Sequence, residues 1–89
     1  MNTEEQLRLV KKAIKGNPDA YGSLVSEHQE YLYKMAYLYV HNENMALDVV
    51  GTTILNAYQN IHQLKEPEYF KTWITRILIH AAQNEQKKT

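Results

Sequence analysis

Four histidines are the side chains best suited to metal or acid–base chemistry: His28, His41, His62 and His80. A helix brings two such groups to one face when they lie three or four residues apart, as in a Glu-x-x-His motif. No histidine has a second one at that spacing, and Glu-x-x-His does not occur. The sequence therefore predicts no metal site. A small helical enzyme with a histidine centre is the alternative, and it would require metal in the purified protein.

Carboxylates and serines give no clearer sign of catalysis. The candidate carboxylates are Glu27, Glu30, Glu43 and Asp48. All four fall at polar positions of helical patterns, where solvated side chains are expected rather than a buried pair. Neither Ser23 nor Ser26 stands in the Gly-x-Ser-x-Gly pattern of a nucleophile elbow, and the three glycines of the chain are scattered rather than grouped as a phosphate-binding loop. We predict a protein that is not an enzyme and uses neither a cofactor nor a small-molecule substrate.

Aromatic and basic side chains are interspersed in the segment Tyr69-Phe70-Lys71-Thr72-Trp73-Ile74-Thr75-Arg76. Single-stranded nucleic acid is bound by such combinations, because each base can stack on a ring for about 1–3 kcal/mol and each phosphate attracts a cation. Phe70 and Trp73 also fall on the apolar stripe of a helix, and periodicity alone favours a core position for both. The segment is therefore a candidate nucleic-acid site whose two rings have a second interpretation.

Helical periodicity accounts for most of the chain, and no alternating pattern predicts a strand. The first helix is predicted over about residues 3–15, with Gly16 placed to end it. Pro18 is suited to the start of the second helix, whose apolar stripe runs from Tyr21 to Tyr39. The second half of this helix adds further tyrosines, most of which are expected in the core. These are Tyr31, Tyr33 and Tyr37.

Two further helices complete the predicted fold. The third spans about residues 43–62, and the fourth begins at Pro67 and has a buried side from Phe70 to Ala81. The tail from Gln83 to Lys88 is polar and is expected to fray. Because the connections are short, sequential helices become antiparallel neighbours. We predict an all-α fold, a compact bundle of three long antiparallel helices plus a shorter N-terminal helix.

The composition fits one soluble domain of this kind. The chain has 89 residues, of which 44% are hydrophobic, and no apolar run approaches the roughly 20 residues of a membrane-spanning helix. Secretory signal and cysteines are both absent, so we expect a cytoplasmic protein without disulfides. Ten basic residues balance ten acidic ones, although residues 35–64 contain no Lys or Arg and residues 65–89 hold five basic and three acidic residues. This balance argues against binding of duplex DNA by charge alone.

Three blocks of the chain stand out together: Gly16-Asn-Pro-Asp-Ala-Tyr-x-x-Leu-Val25, Asp48-Val-Val-Gly-Thr-Thr-Ile-Leu-Asn-Ala-Tyr58 and Phe70-x-x-Trp-Ile-x-Arg-Ile77. Their order and spacing resemble region 2 of the extracytoplasmic-function (ECF) sigma factors, small bacterial transcription initiation factors. The resemblance covers about residues 5–88. It implies that residues 1–89 form a domain that binds a coiled coil of the RNA polymerase β′ subunit and recognises and melts the minus-ten promoter element.

The resemblance also implies which residues bind polymerase, since in this family the docking surface lies on the helix from Asp48 to Tyr58. They are Asp48, Gly51, Thr52, Leu55, Asn56 and Gln59. The family usually has glutamine and an acidic residue where this chain has Gly51 and Thr52. Glycine inside a helix costs about 0.5–1 kcal/mol relative to alanine, and loss of the acid removes a contact with a cationic partner.

For DNA, the resemblance implies that the loop from Gln63 to Pro67 receives a base flipped from the non-template strand, with Trp73 supporting the loop from beneath. The implied DNA-binding residues are Gln63, Lys65, Glu66, Lys71, Thr72, Thr75, Arg76, His80 and Asn84. A solvated helix face is the alternative interpretation of the charged residues among them. Arg76 could instead pair with a carboxylate inside the bundle.

Regulation by an anti-sigma factor is a further implication of the resemblance. The family has a second, helix-turn-helix domain that reads the minus-thirty-five element. The 89 residues contain no counterpart of it, so we expect a fragment. A different class of function stays open beside this one. The tyrosine-rich segment 31–40 could make the chain a helical protein-interaction or homodimerisation module without nucleic-acid binding.

Overall fold

A computed structural model describes residues 3–87 as four α-helices: α1 (Thr3–Ile14), α2 (Pro18–Val40), α3 (Glu43–Asn60) and α4 (Phe70–Lys87). Two 3₁₀ turns, Ile61–Gln63 and Pro67–Tyr69, connect α3 to α4. Helix α2 packs against each of the other three helices, and α3 packs against α4. The predicted bundle of three long helices and a shorter N-terminal one is confirmed.

Polar turns define where α2 and α3 begin. Gly16 ends α1 with a φ of +100°, a backbone conformation that side chains disfavour. The side chain of Asn17 then accepts a hydrogen bond of 3.0 Å from the backbone N–H of Ala20. Asn42 does the same for α3, accepting from the N–H of Met45 at 2.9 Å. These caps satisfy backbone donors that have no partner within the helix, so each helix starts at a defined residue.

The four apolar stripes meet in one core. Its largest fully buried side chains are Val10, Leu24, Leu32, Val49, Thr53, Phe70, Ile74 and Leu78. The core position expected for Phe70 is therefore confirmed, whereas Trp73 is only half-buried. Within residues 3–87, no helix combines the length and apolar character needed to cross a bilayer.

The connection between α3 and α4 differs from the prediction at both ends. Helix α3 ends at Asn60 rather than at residue 62, and α4 begins at Phe70 rather than at Pro67. The reason is Leu64, which has an extended backbone and a buried side chain between the two 3₁₀ turns. A leucine held in the core at this point stops the helix, and it turns the polar residues on either side toward solvent.

The predicted fraying of the tail is wrong for residues 83–87, which continue α4. Ala82 is fully buried, and the side-chain amide of Gln86 donates a hydrogen bond to the main-chain carbonyl of Tyr39 at the end of α2. A polar side chain thus replaces the apolar contacts whose absence predicted fraying. Lys88 lies outside the described residues.

The expectation that most tyrosines in the second half of α2 lie in the core is met only in part. Tyr31 and Tyr33 are partly buried and pack against the core, whereas Tyr37 is 41% exposed. Tyr33 and Tyr37 lie along the rim of the bundle, where their rings approach each other to 6.3 Å between centroids. Tyrosine suits such positions because its ring packs on apolar atoms while its hydroxyl reaches water.

Candidate functional site

Helix α3 presents the residues implied in polymerase binding on one face. The spacing of these six residues at three- and four-residue steps places them together, while Val49, Val50, Thr53 and Ala57 are buried on the other side. Five of the six are exposed: Asp48, Gly51, Thr52, Leu55 and Gln59. Asn56 is half-buried. Leu55, 56% exposed, gives this polar face an apolar centre.

Gly51 lies in the middle of this face without interrupting it. The helix runs continuously from Glu43 to Asn60, and a methyl group added at Gly51 would meet no other atom within 4 Å. The backbone at this position therefore accepts a Cβ without a steric clash. With Gly51 and Thr52 in place of the usual glutamine and acidic residue, the middle of this face is shallow and uncharged, and Asp48 is the one carboxylate among the six residues.

The loop between α3 and α4 carries three further candidates, all exposed: Gln63, Lys65 and Glu66. Glu66 lies close to Glu68, and a hydrogen bond between the two carboxyl groups, together with their mutual repulsion, raises the pKa of Glu66. Lys65 is the adjacent cation, so this loop has two carboxyl groups for one ammonium and offers little net attraction to a phosphate.

The candidates on α4 do not share one face. They fall on two sides of the helix, and each side opens on a different depression in the surface. Lys71, Thr72 and Thr75 line a cleft against α2, whereas His80 and Asn84 line a groove against α3. Arg76 lines both, because it lies on the ridge between them.

The groove between α3 and α4, here called the α3–α4 groove, has a volume of about 800 Å³. Thr52 and Asn56 from the implied polymerase set line it together with Gln63, Arg76, His80 and Asn84 from the implied DNA set. Trp73, Ile77 and Ala81 provide its apolar surface. The ring of Trp73 lies 6.2 Å from that of the buried Phe70, which fixes it against the core. The groove thus joins polar groups to a half-exposed aromatic ring, which is the chemistry of a nucleobase site.

The second depression, here called the α2–α4 cleft, has a volume of about 450 Å³. Tyr31 of α2 forms one wall, and Lys71, Thr72, Thr75, Arg76 and Ile79 of α4 form the other. The ammonium of Lys71 lies over the ring of Tyr31, 4.4 Å from its centroid. Six of the implied residues line neither depression: Asp48, Gly51, Leu55, Gln59, Lys65 and Glu66.

Several residues of these depressions were missed by sequence reasoning. Asn60 and Glu85 line the α3–α4 groove, and Tyr31 lines the α2–α4 cleft. The apolar neighbours of Tyr31 on α2 predict only a place on the apolar surface of that helix. Its partners Lys71 and Thr75 lie about 40 residues further along the chain, and no local pattern signals such a contact.

The histidines are not assembled into a site in the part of the chain that the structure describes. His28 is buried, and its Nδ1–H donates a hydrogen bond of 2.7 Å to the carbonyl of Leu24 while its ring meets Phe70 edge-on. The other three histidines are exposed. Among residues 3–87, no three histidine, aspartate or glutamate side chains are close enough to hold a metal ion together.

Comparison with known proteins identifies the family. The sigma-70 region 2 family matches residues 24–89. The chain belongs to that family. The matched range includes helices α3 and α4, the α3–α4 groove, the α2–α4 cleft and all fifteen implied site residues. The resemblance to the ECF sigma factors is confirmed.

Two curated relatives support this assignment. RNA polymerase sigma factor SigV of Bacillus subtilis is 33% identical over 58 residues, which are 65% of this chain and 35% of SigV. The RNA polymerase sigma-H factor of Pseudomonas aeruginosa is 27% identical over 84 residues, which are 94% of this chain and 44% of that protein. The region 2 domain described here thus spans less than half the length of the curated relatives it matches.

A solved structure has the same fold. It is that of CnrH in complex with the cytosolic domain of CnrY, and it superimposes with a TM-score of 0.81 at 27% sequence identity. The match covers 90% of this chain and 52% of the solved chain. CnrH therefore shares the helical bundle over 90% of this region 2 domain.

Proposed function

We propose that this domain acts in transcription initiation by binding the RNA polymerase core through α3 and by recognising and melting the minus-ten promoter element through the loop and α4. Membership in the sigma-70 region 2 family supports the general role. The observation that carries the specific proposal is the α3–α4 groove, in which polar side chains of both helices surround the half-buried Trp73.

The α3–α4 groove suits a nucleotide taken out of the duplex. Its volume of about 800 Å³ exceeds what one base needs. Trp73 offers a surface for stacking, while Gln63 and Asn56 offer hydrogen-bond donors and acceptors to the edges of a base. Unstacking a base costs a few kcal/mol, and these contacts offset that cost. Binding energy alone can therefore open the duplex at a weak step, and the proposed activity needs no catalytic group.

Charge determines how the domain reaches DNA. The chain has ten basic and ten acidic residues, so long-range attraction to phosphates is small. In the proposed function the polymerase supplies most of the phosphate contacts, and the domain contributes base recognition. The proposed place of action is the cytoplasm. Asp48 and Glu43 are the charged residues between positions 35 and 64, which suits a basic surface on the β′ coiled coil.

A protein regulator is part of the proposal. CnrH was solved in complex with the cytosolic domain of CnrY. By analogy we expect an anti-sigma factor to bind this domain. A partner that covers the exposed face of α3 would compete with polymerase, because the same side chains cannot contact both.

The experiment measures fluorescence anisotropy of a labelled single-stranded minus-ten oligonucleotide with this domain and polymerase core. We expect tighter binding than to a scrambled oligonucleotide, and weaker binding when Trp73 is changed to Ala. The double variant Gly51→Gln with Thr52→Glu restores the family pattern on α3, and we expect it to bind core more tightly in a pull-down with β′. Equal affinity for the two oligonucleotides in the presence of core would overturn promoter recognition.

A second candidate is homodimerisation through the end of α2. Leu38 is 64% exposed, and the rings of Tyr33, Tyr37 and His41 follow one another at 6.3 Å along the helix. Sedimentation velocity distinguishes the two functions. A stable dimer that Leu38→Lys dissociates would favour an interaction module, whereas a monomer at all accessible concentrations would exclude it.

A further inference from the structure

The α2–α4 cleft differs in charge from the other depressions. Lys71 and Arg76 both line it, and none of its six lining residues is acidic. The cleft between α2 and α3 has the opposite character, since it is lined by Glu30 and by no cation. In the α3–α4 groove, Arg76 is accompanied by Glu85. Of these three, the α2–α4 cleft is the one suited to an anion.

Hydrogen bonds fix the wall that Tyr31 contributes to this cleft. The hydroxyl of Thr75 donates to the carbonyl of Lys71 at 2.7 Å. A threonine hydroxyl has a single hydrogen. In the contact of 2.9 Å between the hydroxyls of Tyr31 and Thr75, the donor is therefore Tyr31. The Tyr31 ring is thus tied to α4 by its hydroxyl, one turn from Lys71, and its face is directed toward the Lys71 ammonium.

We infer that the α2–α4 cleft binds a backbone phosphate of single-stranded DNA, with Lys71 and Arg76 contacting the phosphate and Tyr31 acting as the positioning residue for Lys71. This inference rests on the proposed function, because it adds a phosphate contact to the strand whose base occupies the α3–α4 groove. It also gives Tyr31 a role beyond packing.

The physical reason is the freedom of a lysine side chain. An exposed lysine loses much rotamer entropy when it is held at a phosphate. The ring of Tyr31 attracts the ammonium before DNA arrives, so part of that loss has already occurred. The hydroxyls of Thr72 and Thr75 lie beside it, and hydroxyl groups commonly contact phosphate oxygens.

The experiment is an NMR titration of the isolated chain with a single-stranded oligonucleotide at low ionic strength, where weak affinities are measurable. A cation–π contact at an exposed site corresponds to about a two- to fivefold change in affinity. We expect Tyr31→Leu to weaken binding by that factor and Tyr31→Phe, which keeps the ring, to weaken it by less than Tyr31→Leu does. Tyr33→Leu is the matched control, because Tyr33 is also half-buried on α2 but lines the cleft with α3.

A double-mutant cycle separates positioning from packing. Lys71→Ala should reduce the salt slope of log affinity by about 0.7, the value for one phosphate of a single strand. In that background, Tyr31→Leu should cause no further loss, since there is no ammonium left to position. An equal loss in both backgrounds would mean that Tyr31 acts through packing alone, and this outcome would overturn the inference.

Two further readouts keep the test independent of folding defects and of the proposed function. In the wild type, the ε-methylene protons of Lys71 should resonate upfield because of the Tyr31 ring current. An unshifted resonance would contradict the inference without any variant. A phosphate contact does not depend on sequence, so a scrambled oligonucleotide should show the same cycle. Loss of minus-ten preference with an intact cycle would therefore refute promoter recognition alone, whereas an absent cycle with intact preference would refute the phosphate site alone.

Discussion

The hydroxyl of Tyr21 in α2 donates a hydrogen bond of 2.5 Å to the main-chain carbonyl of Ile54 in α3. Its ring lies 4.9 Å from that of Tyr58, one helical turn further along α3. These contacts attach the first turn of α2 to the middle of the helix that carries the implied polymerase face. Leu55 and Asn56 directly follow Ile54 in α3, so their orientation depends on the buried side chain of Tyr21.

Removal of the Tyr21 hydroxyl should destabilise the fold. We expect Tyr21→Phe to lower the free energy of unfolding by about 1 kcal/mol, because the net contribution of such a hydrogen bond is about 0.5–1.5 kcal/mol. Urea denaturation measures the change. Tyr37→Phe removes an exposed hydroxyl from the same helix and serves as control, with an expected effect within about 0.5 kcal/mol. Equal losses for the two variants would show that the bond to Ile54 contributes nothing.

The same tyrosine should make stability depend on alkaline pH. Burial, with a smaller contribution from Tyr58, raises the pKa of Tyr21 from 10.0 to about 12. Between these values the unfolded chain has lost the proton and the folded chain keeps it, so stability falls as pH rises. Below pH 10 this contribution is fully present. The stability difference between wild type and Tyr21→Phe should therefore shrink from pH 10 to pH 12 in urea titrations, and a constant difference would contradict the raised pKa.

Glycine substitutions should differ in sign according to backbone conformation. At Gly51, inside α3, an added methyl group meets nothing within 4 Å, and we expect Gly51→Ala to stabilise by about 0.5–1 kcal/mol. Gly22, in α2, has the same open surroundings and should respond alike. Gly16 has a φ of +100°, so Gly16→Ala should destabilise by about 1 kcal/mol. Thermal unfolding followed by circular dichroism tests all three, and stabilisation by Gly16→Ala would be inconsistent with the left-handed turn.

The cap of α3 should be needed for its stability. Asn42→Ala removes the acceptor of the 2.9 Å bond from the Met45 N–H, and we expect a loss of about 1 kcal/mol. Asn42→Asp keeps an acceptor oxygen and should remain close to the wild type. Hydrogen exchange at Met45 would report the local effect directly. Unchanged protection in the alanine variant would argue that the cap does not hold the helix start.

Local chemistry was sufficient to predict the bundle. Asn17 and Asn42 precede helices because their side chains satisfy free N–H groups, and apolar residues at three- and four-residue steps must face a core. The end of α4 was not predictable in this way. It is held by the contact between Gln86 and Tyr39, which are 47 residues apart, and a polar residue gives no periodic signal of such a partner.

The candidate site residues follow from the resemblance to the ECF sigma factors, and their roles stay predictions. Helix geometry accounts for the shared face of the six residues on α3, since they recur at three- and four-residue steps opposite the buried side. The division of the α4 candidates between two depressions could not be predicted from the sequence, because it depends on which side of α4 packs near α2 and which near α3. The position of Tyr31 in the wall of the α2–α4 cleft likewise depends on the packing of α2 on α4, which the sequence pattern does not reveal.

A single guanidinium serves both depressions, since Arg76 lines each of them. The five N–H donors of a guanidinium spread out in one plane, so Arg76 can contact groups on both flanks of α4. A phosphate in the α2–α4 cleft and a base of the same strand in the α3–α4 groove would then share one cation. Loss of that one side chain should therefore weaken the attachment of the strand on both flanks of α4.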